Sequence, residues 1–222
     1  MRTSAVLLLL VACAGNPGQD LSIDLRTDFV PGGDFFSYVV TMRGQTPTRG
    51  VANTFQDFVT GVRIAEYTGL AAGNYDVQVQ LLDANGLTVA ERGTTVSIQT
   101  DTAVTVVMTR SCQGISCPGP GDAESATACV GGECVNPTCT PETPESCPVA
   151  QCTTAEDCGR PPQSCFAARC TGGVCFFGDD GSCGMGQFCD SLQGYPDRPT
   201  PSDGGTTDGG GRDTGVDAGV DT

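Results

Sequence analysis

From Asp20 to Arg110 apolar and polar residues alternate along the chain. Ser22 and Asp24 separate Leu21, Ile23 and Leu25, and Asp76, Gln78 and Gln80 separate Tyr75, Val77, Val79 and Leu81. Val96 and Ile98 keep the period, as do Val104, Val106 and Met108. A two-residue period gives strands with one buried and one wet face. Phe35 to Met42 and Gly61 to Tyr67 add two further extended segments. Asp83-Ala-Asn85-Gly86 predicts a hairpin, because Asn-Gly supplies the positive φ of a tight turn. Arg92-Gly93 predicts another turn, and Asp101-Thr102 the next break. Thr46 to Asp57 is polar and weakly patterned, which predicts a long surface loop. About seven short strands with regular turns and no helix predict a small antiparallel sandwich over residues 20–110.

The pattern changes at Ser111. Residues 111–195 hold thirteen of the fourteen cysteines and few aliphatic side chains. Burial alone does not offset chain entropy in such a segment, so disulfides are expected to hold it. The spacing Cys129-x4-Cys134-x4-Cys139 recurs as Cys165-x4-Cys170-x4-Cys175, and Cys112 to Cys117 and Cys147 to Cys152 share the interval. Val130-Gly-Gly-Glu and Thr171-Gly-Gly-Val echo each other as fillers, although they occupy different intervals of the two units. An internal repeat of a small disulfide unit follows. With Cys158, Cys183 and Cys189 added, these thirteen residues are the disulfide candidates. Zinc is disfavoured, because its sites use Cys-x2-Cys knuckles helped by histidine, and the chain has neither. A redox-active pair fails on the same spacing. Thirteen is odd, so at least one cysteine is expected to lack an intramolecular partner and to be available for an intermolecular disulfide. Tyr195, which follows Cys189 at the interval between Cys183 and Cys189, stands where a cysteine would complete the set.

At the other end, Arg2 precedes the apolar run Ala5 to Val11, and Ala12-Cys13-Ala14 follows. This is the layout of a secretory signal over residues 1–12, too short to span a bilayer as a helix. Leu10-Val11-Ala12-Cys13 resembles the lipobox of bacterial lipoproteins. The resemblance implies cleavage before Cys13, lipidation of Cys13, and a membrane partner through that anchor. Residues 13–19 then form a linker, and Ala14 points to the outer membrane by the family's sorting preference. The same residues also fit cleavage before Gly15, which would give a freely secreted product.

Two further resemblances bear on fold. Leu70-Ala-Ala-Gly73-Asn-Tyr75-Asp-Val77, continuing to Thr105-Val-Val-Met108, resembles the transthyretin-like and carboxypeptidase-regulatory-like sandwiches. The cysteine spacing resembles the Dickkopf-N-terminal-like units of bacterial surface lipoproteins. The expected class is mostly β: an Ig-like or transthyretin-like sandwich, a loop-dominated disulfide block, and a Gly/Asp/Thr-rich tail over residues 196–222, expected to be disordered. The tail's aspartates lack the two-residue spacing of calcium loops.

Charge and missing chemistry narrow the function. A net charge of −15 with no lysine disfavours a nucleic-acid partner. Without histidine no imidazole-based triad can form, and the carboxylate pairs Asp179-Asp180 and Glu156-Asp157 are adjacent turn residues. The expectation is a non-catalytic lipoprotein without cofactor or metal, with a structural or protein-interaction role at the envelope and an unidentified surface protein as partner. The alternative is a secreted disulfide-rich ligand or protease-inhibitor-like effector.

Overall fold

A computed structural model describes residues 18–161 and 164–179. The expectations for the entry segment and Cys13, for Cys183, Cys189 and Tyr195, and for residues 196–222 lie outside the described residues. The class is mostly β: strands and short 3-10 turns account for every regular element described, and none of these is an α-helix.

Seven strands form the sandwich. β1 (Gln19–Thr27), β4 (Val62–Leu70) and β7 (Thr102–Met108) make one sheet in the order β4-β1-β7. β2 (Ser37–Met42), β3 (Thr48–Val51), β5 (Gly73–Leu82) and β6 (Thr88–Ile98) make the other, in the order β3-β2-β5-β6. Pairing is antiparallel throughout the second sheet, whereas β1 runs parallel to β7 from Leu21↔Thr102 to Thr27↔Met108. The alternating residues meet between the sheets: Leu21, Ile23, Leu25, Val104 and Val106 from one, Val40, Val77, Val79, Leu81 and Ile98 from the other. Their wet-face neighbours pair across strands, as where Arg63 bridges Asp24 and Glu66.

Two local expectations are corrected. Residues 46–57 are not a plain loop, because Thr48–Val51 pairs with β2. β3 is an edge strand held by ladder hydrogen bonds rather than by burial, so it carries no alternation. Gly50 there lies under Tyr38, whose ring atoms would stand 2.2 Å from an added Cβ. Nor do Arg92-Gly93 turn the chain. Both sit inside β6, opposite Val79 and Gln78. The turn is the one at Asn85-Gly86, where Gly86 has φ +79 and the Asp83 carboxylate accepts from the Asn85 and Leu87 amides at 2.8 Å each.

The cysteine-rich block is built from two hairpins joined by 3-10 turns and loops. β8 (Ala128–Val130) pairs with β9 (Glu133–Val135), and β10 (Phe166–Thr171) pairs with β11 (Val174–Asp179). Three 3-10 turns, at Arg110–Cys112, Pro144–Ser146 and Ala155–Cys158, space them. The block does not rest on disulfides alone. Val59 and Val107 of the sandwich share a buried cluster with Val130, Val135, Cys139 and Phe176, and Val30 shares another with Cys165 and Phe166.

Candidate functional site

Five disulfides lie among the described residues, and their connectivity explains the spacing. Cys112–Cys129 and Cys117–Cys134 staple the first hairpin, with sequence separations of 17 each. Cys152–Cys170 and Cys158–Cys175 staple the second, with separations of 18 and 17. In each unit an N-terminal pair of cysteines crosses to two facing cysteines, Cys129 opposite Cys134 and Cys170 opposite Cys175. The repeat predicted from spacing is therefore real but displaced by one cysteine, since Cys129 and Cys134 correspond to Cys170 and Cys175. The Gly-Gly fillers carried the right alignment. Gly131-Gly132 and Gly172-Gly173 occupy the two turns, all four at positive φ, which side-chain-bearing residues adopt only at a cost. The fifth bond, Cys139–Cys147, closes a Pro-rich loop between the units. Cys165 is disulfide-bonded as well.

Gln151 connects the two turns. Its backbone N–H donates to the Gly173 carbonyl at 2.7 Å, and its side-chain Nε2 donates to the Gly131 carbonyl at 2.8 Å.

Three polar fixtures fasten the block to the sandwich. The first is Arg92, which is 4 % exposed and donates through Nη1 to the Val107 carbonyl and through Nη2 to the Cys139 carbonyl. Beside it the Pro137 carbonyl accepts from the Thr95 amide at 3.1 Å and the Thr94 hydroxyl at 2.7 Å. The second is Glu142, whose carboxylate accepts from the Thr105 amide at 3.0 Å and hydroxyl at 2.7 Å. β6 and β7 are thus covered along their outer edges, and all five residues from Val104 to Met108 are buried. The third is Arg110, paired with Asp34, donating to the Asp28 carbonyl, and lying 5.5 Å from the Phe29 and 5.0 Å from the Phe166 ring centroids. The Asp28 carboxylate accepts from the Arg110 and Phe177 amides. Burial nevertheless holds its pKa above the usual 3.8, because desolvation outweighs those bonds and the nearby guanidinium.

Between the block and the sandwich lies a cleft of about 350 Å³. Val107 and Arg92 belong to its sandwich side, Val130 and Val174 to the hairpins, and Pro141 and Val149 to the loops between them. Among the described residues, Arg92 is the only charged one in this lining. Burial lowers its pKa to about 10, with Glu142 pulling the other way, so the guanidinium stays cationic at neutral pH. Its Nε is the one buried side-chain polar atom among the described residues without a hydrogen-bond partner.

The carboxylates weighed from sequence do not converge on this cleft. Asp157 caps the 3-10 turn at Ala155–Cys158, accepting from the Thr153 and Thr154 amides at 2.8 Å each, and these bonds lower its pKa to about 2. Asp180 lies outside the described residues. The sulfurs of Cys152, Cys158 and Cys175 lie within 4.8 Å of one another, yet each is spent in a disulfide and none is a thiolate ligand. Arg92, Arg110 and Gln151 were not singled out from sequence. For Arg92 the sequence holds a signal, a charged residue next to a glycine, but the same dipeptide fits a turn, and only the docked block makes it a buried strand position. No protein-family model matches the chain, and no curated protein matches it significantly.

Proposed function

We propose that the chain is an exported lipoprotein of the bacterial envelope, anchored through Cys13, in which the sandwich and the disulfide block act together as a non-catalytic interaction module. The observation that carries this reading is the oxidation state: all eleven cysteines among the described residues are disulfide-bonded. Disulfides at this density persist outside the reducing cytosol. The lipobox-like Leu10-Val11-Ala12-Cys13 supplies the means of retention, and several acyl chains hold a protein on a bilayer almost permanently. Ionisable side chains along the seam are engaged in fastening: Arg110 to Asp34, Glu142 to Thr105, Arg92 to two backbone carbonyls. Such an arrangement supports a rigid scaffold that presents a surface.

The test is the intact mass of the unreduced mature protein, taken separately from membrane and medium. The reading expects a membrane species beginning at Cys13, heavier by its acyl chains and lighter than the reduced chain by two hydrogens per disulfide. An unacylated species in the medium beginning at Gly15 overturns the anchor and favours a secreted ligand or inhibitor.

A further inference from the structure

We infer that the cleft beside Arg92 is a binding site for a small amphiphilic carboxylate, with the apolar body held between the loops and the hairpins and the acid group directed to the guanidinium. This goes beyond the envelope role and does not depend on the lipid anchor.

Three observations converge. A chain with net charge −15 has a cleft whose only charged lining residue, among the described residues, is an arginine, so the local field opposes the global one. A cation or a basic peptide finds no carboxylate in that lining.

Next, Arg92 is a buried cation whose hydrogen bonds go to the neutral carbonyls of Val107 and Cys139, and no ion pair satisfies it. Glu142, whose charge acts on it, is engaged by Thr105. Buried charge without a paired anion is costly, and a buried donor without a partner calls for an explanation. A carboxylate bound in the cleft beside Arg92 answers the first directly, since it neutralises the buried charge. A full charge acts over several ångströms in low-dielectric surroundings, so the attraction does not require Nε to be open to water beforehand.

Finally, Pro141, Pro144, Pro148 and Val149 supply an apolar wall. Val149 is 91 % exposed, an aliphatic side chain left in water at the rim. A cleft of about 350 Å³, mainly apolar with one polar anchor, has the form of a small-molecule site and matches an acid of about ten carbons or fewer. The other cavities lack this combination. The one beside Asp57 and Arg169, for instance, has those two charges paired with each other and the Asp28 carboxylate in its lining as well.

The test is calorimetric titration of the unreduced, mature protein with octanoate and with octanol at neutral pH. The inference expects saturable octanoate binding at one site, at least tenfold tighter than octanol. Val149→Glu changes a side chain that is 91 % exposed and places a negative charge at the rim. It should weaken octanoate at least fivefold, and by a larger factor than it weakens octanol, while leaving the unfolding midpoint unchanged. Arg92→Met, if it folds, should erase the preference for acid over alcohol. Absence of octanoate binding, equal affinity for the two compounds, or an octanoate affinity unmoved by Val149→Glu each overturns the inference.

Discussion

The side-chain amide of Gln151 donates to the carbonyl of Gly131 at 2.8 Å and so joins the turn of the first disulfide hairpin to the segment that enters the second. Gln151 also holds the turn of the second hairpin, through its own backbone N–H and the Gly173 carbonyl. The two copies of the repeat are therefore locked tip to tip by one residue. The cleft forms where this lock faces the sandwich, since Gln151, Gly172 and Gly173 all line it.

A glycine comparison tests the lock. Gly131 has φ +61, and an added Cβ would stand 2.1 Å from the Gln151 side chain. Gly172 has φ +60, and its nearest neighbour, an Arg26 nitrogen, is 3.9 Å away. Gly172→Ala should cost only the left-handed backbone penalty, about 1–2 kcal/mol. Gly131→Ala should cost about 1 kcal/mol more, because it also displaces the hydrogen bond from Gln151. Urea unfolding of the unreduced variants measures the difference.

Arg110 is expected to be the most sensitive charged position of the seam. Arg110→Ala leaves Asp34 without its partner in surroundings where the two side chains are 10 % and 14 % exposed. It also removes the group between Phe29 and Phe166. The expected loss is about 3–5 kcal/mol. Arg110→Lys should recover only part of it, since one ammonium cannot serve both the Asp28 carbonyl and the Asp34 carboxylate in the way a planar fork does. Denaturant midpoints of the three proteins decide this.

The sandwich was largely legible because alternation is local: Leu21, Ile23 and Leu25 announce a half-buried strand whatever lies elsewhere in the fold. The seam was less legible because it depends on where a second unit docks. Val107 breaks the alternation of Val104, Val106 and Met108, and that irregularity is the mark of a strand covered on both faces. Arg92 beside Gly93 resembles turn chemistry, and the buried arginine there rests on the Val107 carbonyl and, once the block is docked, on the Cys139 carbonyl. In the block, equal intervals suggested one repeat register and the Gly-Gly fillers another. The fillers were the better guide, since a hairpin turn constrains its residues by backbone conformation while a cysteine interval does not.

Acid should weaken the protein through Asp83 and Asp157. Both have folded-state pKa values below the usual 3.8, because backbone amides hydrogen-bond to their carboxylates. Their stabilisation is complete above pH 3.8 and is lost as pH falls, for Asp157 through about 2. Asp28 has the opposite sign. Its raised pKa gives a contribution complete below 3.8 that declines as pH rises through the folded value. Asp157→Asn should lower the neutral plateau while leaving stability near pH 2 almost unchanged, and so flatten the acid limb, a result that unfolding midpoints from pH 2 to 6 would show.

Removing the Cys139–Cys147 bond should loosen the cleft and spare the sandwich. The bond closes a short loop, with a sequence separation of 8, and the entropic contribution expected for such a loop is about 2.5 kcal/mol. In Cys139→Ser/Cys147→Ser the loop carrying Pro141, Pro144 and Glu142 should become open to proteases while the strand signal in far-ultraviolet circular dichroism is kept. Collapse of the strand signal would mean that the sandwich cannot stand without this loop.

The central structural claim is that two equivalent units, each with crossed disulfides over a Gly-Gly hairpin, are braced against one sandwich. Disulfide mapping of the unreduced protein by proteolysis and mass spectrometry tests it most directly. The account predicts peptides linking Cys112 to Cys129, Cys117 to Cys134, Cys139 to Cys147, Cys152 to Cys170 and Cys158 to Cys175. Links between sequence neighbours, such as Cys129 to Cys134 or Cys170 to Cys175, would contradict the repeat and the clamp built on it.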